Sequence, residues 1–141
     1  MTREIFIDAG FWIALFYRWD QQHDRARMVW DELMTQRWPI VTSNWTLYET
    51  VTFLNGRPRR HDLAIAALDF VSQLSEIVYI EHAELETRSL EIFRAHSDEG
   101  WSVVDCASFA CIESRQSEFA ISYDRNFEQA QTEFGFQFKT P

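Results

Sequence analysis

Ile5-Phe6-Ile7-Asp8 is a short apolar run that stops on a carboxylate, and Phe119-Ala120-Ile121-Ser122-Tyr123-Asp124 does the same near the far end of the chain. Both read as strands. Pro39-Ile40-Val41-Thr42 and Ile77-Val78-Tyr79-Ile80 read as two more, with Phe136-Gln137-Phe138 as a candidate edge strand. The stretches between them carry helical spacing. Trp12 to Phe16 forms a short apolar helix. Asp20 is placed to cap a second, through Ala26, Val29, Trp30 and Leu33. A third helix runs from about Thr46 to Leu54 and ends at Asn55-Gly56. Leu63, Ala66, Ala67, Phe70, Val71 and Leu74 define an amphipathic helix over 62–74, and Leu85, Ser89, Ile92 and Phe93 define another. Residues 103–115 and 126–133 complete the set. Strands alternating with helices predict an α/β fold: a mainly parallel central sheet of about four to five strands, flanked by helices on both faces.

The 141 residues (16.8 kDa) suit one domain, 1–141, with room for a proper core. Hydrophobic residues make up 46% and charged residues 25%, the balance of a soluble globular protein. No apolar stretch approaches the roughly 20 residues of a membrane span. The first strand begins so early that no signal peptide is expected. Cys106 and Cys111 lie on opposite sides of one helix and so do not bridge each other. Reduced thiols and a cytoplasmic location follow as expectations. A net charge of −9 argues against a general nucleic-acid-binding surface, which would be basic, but not against an enzyme acting on nucleic acid. The four histidines are scattered, without partners at catalytic spacing.

Four acids stand where an α/β chain brings residues together. Asp8 and Asp124 follow strands; Glu49 and Asp105 fall at the expected first turns of helices. Each has an ordinary alternative. Thr46-x-x-Glu49 and Ser102-x-x-Asp105 both fit a capping box, and Asp8 and Asp124 each precede a helix that they could cap. The neighbours weaken those alternatives. Asp105 shares its helix face with Phe109 and Ile112, and Glu49 shares its face with Trp45 and Phe53. A carboxylate that continues an apolar stripe needs a partner for its charge, since burying it alone costs several kcal/mol. Acids converging at the carboxyl ends of strands, the usual ligand crevice of open α/β sheets, predict a site for Mg²⁺ or Mn²⁺ and a metal-dependent hydrolase.

Four stretches in order carry a family resemblance across almost the whole chain. They are Phe6-Ile-Asp8-Ala-Gly10, Thr42-Ser-Asn-Trp-Thr-Leu-Tyr-Glu49-Thr50, Ser102-Val-Val-Asp105-Cys-Ala-Ser108-Phe109 and Ser122-Tyr-Asp124-Arg-Asn126-Phe127-Glu128-Gln129-Ala130. Asp20-x-x-His23-x-x-Ala26 adds to them. Together they resemble the PIN-domain ribonucleases, especially the VapC-type toxins of prokaryotic toxin–antitoxin pairs. Two positions depart from the pattern: Gly10 stands where the family often has Ser or Thr, and Ser122 where Thr is common.

The resemblance implies a three-layer PIN-like sandwich and an endoribonuclease using Mg²⁺ or Mn²⁺. It implies that Asp8, Glu49 and Asp105 bind the metal directly or through water, and that Asp124 completes the acidic pocket through a second metal or an ordered water. Ser122 and Asn126 would orient an acid or a water molecule, with ordinary capping and turn roles as the alternative. It also implies two protein partners: a second copy of the chain in a homodimer, and a small antitoxin lying beside the active site. The basic cluster Arg57, Arg59 and Arg60, around Pro58, is a candidate grip on the RNA backbone, with a solvated loop as the alternative. Surplus apolar surface at Trp12, Phe16, Trp19 and Trp30 could face a partner, with the core as the competing explanation. A catalytically silent PIN-like scaffold is the alternative function. A haloacid-type phosphatase fits less well, because Asp8 is followed by Ala9 and Gly10 rather than by a second Asp.

Overall fold

The computed structural model describes residues 2–57 and 60–141. The strands are β1 (Thr2–Ile7), β2 (Ile40–Ser43), β3 (Glu76–Val78), β4 (Ser117–Ile121) and β5 (Gln137–Lys139). The helices are α1 (Ala9–Phe16), α2 (His23–Thr35), α3 (Asn44–Asn55), α4 (His61–Leu74), α5 (Thr87–Ala95), α6 (Val103–Arg115) and α7 (Arg125–Phe134), with one π turn at His82–Glu86 leading into α5. The strands lie in the order β3-β2-β1-β4-β5, and each neighbouring pair is parallel. Parallel neighbours cannot be joined by tight hairpins, so each connection carries helices across a face of the sheet.

β1 is central and buried on both faces, which is why its run is apolar rather than alternating. Phe6 packs with Phe109, Ile112 and Phe127, beneath the α5, α6 and α7 layer. Ile5 and Ile7 point the other way, toward Trp12, Trp30, Leu33 and Val71 of α1, α2 and α4. From β1 the chain winds outward through β2 and β3, then returns to the opposite side for β4 and β5. The winding direction therefore switches between β1 and β4. At such a switch the connections leave in opposite directions and open a crevice at the carboxyl ends of the strands. Helix α3 bridges the layers beside it: Trp45 packs on one core, and Leu47 and Val51 on the other.

Several local expectations change. Ser43, not Thr46, caps α3, its Oγ accepting from the Thr46 N–H at 3.0 Å. The helix starts earlier than predicted, so Glu49 sits in its second turn and belongs to no capping box. Asp20 does not cap α2; it accepts from the Gln22 N–H at 2.8 Å, and the helix begins beyond it. Trp12 and Trp30 are core residues, 0% and 8% exposed, and Phe16 is half-buried, which leaves Trp19 as the surface member of that group. Cys106 and Cys111 are both buried and free.

The opposite end of the sheet is closed by an ionic lock. Glu4 is buried at the start of β1 and takes both Arg115 Nε and Nη2 at 2.9 Å and the Ser117 hydroxyl at 2.6 Å. Arg115 also reaches Glu76 of β3 at 2.7 Å. Burial alone would raise the Glu4 pKa, but the guanidinium and the hydroxyl overcome it and leave the pKa below the usual value. Among the described residues, no helix is long and apolar enough to cross a membrane.

Candidate active site

All four acids open onto one cavity of about 570 Å³ at the switch point, together with Gly10, Ile13, Gly100, Ser102, Tyr123 and Asn126. Among the described residues, no Lys, Arg or His lines it. Asp8 arrives at the end of β1, on the same side as Phe6 by the two-residue period of the strand. Its backbone N–H still bonds to Ile121 of β4 at 3.0 Å, so the two strands fix its position. It occupies the N-cap position of α1, yet its side chain makes no cap bond. Instead Asp8 Oδ2 accepts from the Ser122 hydroxyl at 2.8 Å.

Asp105 does complete a capping box at the start of α6: Ser102 Oγ accepts from its N–H at 3.0 Å, and Asp105 Oδ2 accepts from the Ser102 N–H at 3.1 Å. The box anchors the carboxylate and does not divert it, because the same Oδ2 also accepts from Asn126 Nδ2 at 3.1 Å. Asp124 caps α7 through Oδ1, which accepts from the Asn126 N–H at 2.9 Å, while its Oδ2 lies 3.4 Å from Asn126 Nδ2. Capping and site-building are thus one arrangement at these two positions. Glu49 reaches the cavity from α3, and Thr46 of that helix contacts Ser108 of α6 at 3.4 Å between hydroxyl oxygens. Thr42 Oγ1 donates to the Ile7 carbonyl at 2.9 Å and ties β2 to the last residue of β1.

Ser122 and Asn126 are the bridges. The Ser122 hydroxyl donates to Asp8 and accepts from the Asp124 N–H at 2.9 Å. The Asn126 amide joins Asp105 to Asp124. Sequence patterning found both residues but not these links, which join positions 21 and 114 residues apart. Tyr123, Ile13 and Gly100 were missed as lining residues; each lies beside a recognised position, and none carries a chemical signal of its own.

The electrostatics show convergence. Burial lifts the Asp8 carboxyl to about 7, against the pull of Ser122, and the charges of Asp105 and Glu49 push it further the same way. Burial also raises Asp105, against hydrogen bonds from Ser102 and Asn126, with the Asp124 charge adding to the rise. Glu49 is raised by burial, then by Asp105 and Asp124. Asp8, Glu49 and Asp105 are each disfavoured as anions by burial and by neighbouring acids, which is the condition that a dication relieves.

The donor set fits a hard cation, since it consists of carboxylate oxygens with no imidazole or thiolate. Among the described residues, no three His, Cys, Asp or Glu side chains are drawn into a closed ligand set.

Of the basic cluster, Arg57 lies with its guanidinium carbon 4.1 Å from the Phe53 ring centre. Arg60 pairs with Asp62 at 3.5 Å. Arg59 and Pro58 lie outside the described residues. Neither Arg57 nor Arg60 lines the acid cavity.

Residues 5–133 match the PIN domain family. Over 129 residues the chain is 36% identical to the 23S rRNA-specific endonuclease VapC20 of Mycobacterium tuberculosis, aligning 89% of this chain with 93% of that one. The crystal structure of VapC20, a sarcin–ricin loop cleaving toxin, matches with a TM-score of 0.78 at 32% identity, covering 90% of this chain and 95% of that one. VapBC2 of Rickettsia felis, solved with a DNA fragment from its promoter, shares the fold alone: TM-score 0.71 at 11% identity, covering 96% and 97%. The chain belongs to the PIN-domain family and is a ribonuclease of the VapC toxin type, a hydrolase of RNA phosphodiester bonds.

Proposed function

We propose that this ribonuclease works with Mg²⁺ or Mn²⁺ held by Asp8, Glu49 and Asp105, that Asp124 completes the catalytic pocket, and that its substrate is a loop of 23S ribosomal RNA. The observation that carries the reading is the cavity itself: four carboxylates line it, no basic side chain among the described residues does, and burial pushes the Asp8 carboxyl up to about 7. A bound dication would polarise the scissile phosphoryl group and make a water molecule acidic enough to attack near neutral pH. The residues of this chain do the rest. Ser122 holds Asp8 in place through its hydroxyl. Asn126 fixes Asp105 and Asp124 relative to each other. Asp124, exposed at the rim, would complete the pocket by holding an ordered water or a second ion. The RNA class follows the VapC20 relative, whose identity to this chain spans nearly its full length.

Ribosomes incubated with the purified protein and Mg²⁺ or Mn²⁺, followed by mapping of new RNA ends, test the reading. One discrete cut in 23S RNA is expected, lost with EDTA and reduced at least about a hundredfold in Asp8→Asn, a loss in the range of one catalytic-site deletion. Cleavage that survives both treatments would refute it. Calorimetry with Mn²⁺ gives an independent readout, with binding in the wild type and marked weakening in Asp105→Asn.

As a toxin of this type the chain would have a cognate antitoxin, encoded in a short neighbouring reading frame, and would act as a homodimer in the cytoplasm. Co-expression with that frame should neutralise cleavage and yield a co-purifying complex. Light scattering reports the dimer directly.

A further inference from the structure

Beside the acid cavity lies a second, open cleft of about 500 Å³, lined by Trp45, Tyr48, Glu49, Thr52 and Phe53 of α3 and by Val104 of α6. Glu49 lines both cavities, so the two adjoin at that residue. Trp45, Glu49 and Phe53 recur every four residues along one face of α3, about 6 Å apart, and Arg57 follows two residues beyond the end of that helix. The line therefore runs from the acids, across an aromatic ring, to a guanidinium that covers that ring at 4.1 Å. Tyr48 is 50% exposed on the same face, an unusual place for a large ring on a helix whose other aromatic residues are partly covered.

We propose that Trp45, Tyr48 and Phe53 form a stacking subsite for one unpaired base of the RNA, the base next to the scissile phosphate, with Arg57 facing the phosphate beyond. The subsite rests on the ribonuclease function and deepens it. A chain of net charge −9 has little Coulombic attraction for a polyanion. Its affinity for RNA must come largely from contacts that do not depend on charge, and base–aromatic stacking is the strongest of these. Loop RNA suits the subsite, because unstacked bases can be splayed onto aromatic side chains. The cleft has the volume of a small-ligand pocket.

The test pairs a variant with a substrate lacking one base. Wild type, Tyr48→Ala and Tyr48→Phe are compared on the target RNA and on a series with a single abasic position moved through the nucleotides around the cut. Tyr48→Ala should raise KM about tenfold with kcat within about twofold, and Tyr48→Phe should restore it. One abasic position beside the cut should weaken wild-type binding about tenfold and leave Tyr48→Ala no weaker than it already is. An unchanged KM, or an abasic penalty that persists in Tyr48→Ala, overturns the subsite. So does a Tyr48→Ala protein that falls from dimer to monomer without any abasic dependence, which would make the cleft a contact between copies. If Tyr48→Ala does not fold, quenching of 2-aminopurine at that single position in wild-type complexes carries the test, and no quenching at any position refutes it. A wild type that cuts no RNA would instead refute the ribonuclease reading.

Discussion

Ser122 donates to Asp8 and accepts from the backbone of Asp124, so one small hydroxyl sets the geometry of two acids from different strands. Its hydrogen bond also restrains the Asp8 carboxyl, which burial lifts to about 7. Removing it in Ser122→Ala should let that pKa rise further, so the acid limb of the pH–rate profile should move to higher pH. A rate profile of Ser122→Ala superimposable on the wild type would show that the hydroxyl is idle. Asp8→Asn makes the complementary point about stability. The amide keeps an oxygen to accept from Ser122 and removes a buried charge that faces Asp105 and Glu49. In metal-free protein at pH 8 it should therefore melt higher than wild type, by an amount of order 1 kcal/mol. Millimolar Mn²⁺ should shrink or reverse that gap, because binding stabilises the wild type more. A lower melting point for metal-free Asp8→Asn would contradict the crowding of anions in the cavity.

At the scale of elements, the site is assembled by helix starts. α6 and α7 each begin with a capping acid aimed at the cavity, and α3 crosses the end of β2 to bring Glu49 alongside. The capping pattern at Ser102–Asp105 was readable in the sequence because it is local. The start of α3 was misplaced because Ser43 and Thr46 are both good caps, and only the end of β2 decides between them. At the far end of the sheet, Glu4, Arg115 and Ser117 link β1, α6 and β4, with Glu76 of β3 outside. Arg115→Met leaves Glu4 buried without its cation, a class of change that costs about 3–5 kcal/mol. Urea denaturation of metal-free protein should show that loss, and Glu4→Gln combined with Arg115→Met should recover much of it. An Arg115→Met protein as stable as wild type would mean that Glu4 escapes to solvent.

For the molecule as a whole, the two ends of the parallel sheet differ: an acid-lined cavity where the strands finish, ionic closure where they start. His96 joins the last helices of the α5–α7 layer. Its Nδ1 lies 2.7 Å from the Ile92 carbonyl, its Nε2 lies 2.8 Å from Glu133, and its ring stacks on Trp101. Both ring nitrogens face acceptors, so the imidazolium suits the site, and the pKa is raised, chiefly by the Ile92 carbonyl. A raised folded pKa means that this stabilisation is complete below the unfolded value near 6.5 and is lost as pH climbs through the folded value. The melting difference between wild type and His96→Ala should therefore be larger at pH 5.5 than at pH 9, by up to about 1 kcal/mol. A pH-independent difference would show that only ring stacking matters.

The sequence by itself determined the alternation of strands and helices, the parallel sheet and the four acids, because each is written in local periodicity or in a residue type at the end of an element. It also gave the family, through four short stretches in fixed order. It overestimated the free surface of Trp12 and Trp30, since an apolar stripe looks the same whether a core or a partner covers it. Only the tertiary structure decided that Ser122 reaches Asp8, that Asn126 ties Asp105 to Asp124, and that the aromatic face of α3 opens beside the acids. Those relations depend on how strands 114 residues apart come into register and on which side of a helix meets solvent. They follow from packing the whole chain, which no window of neighbouring residues contains.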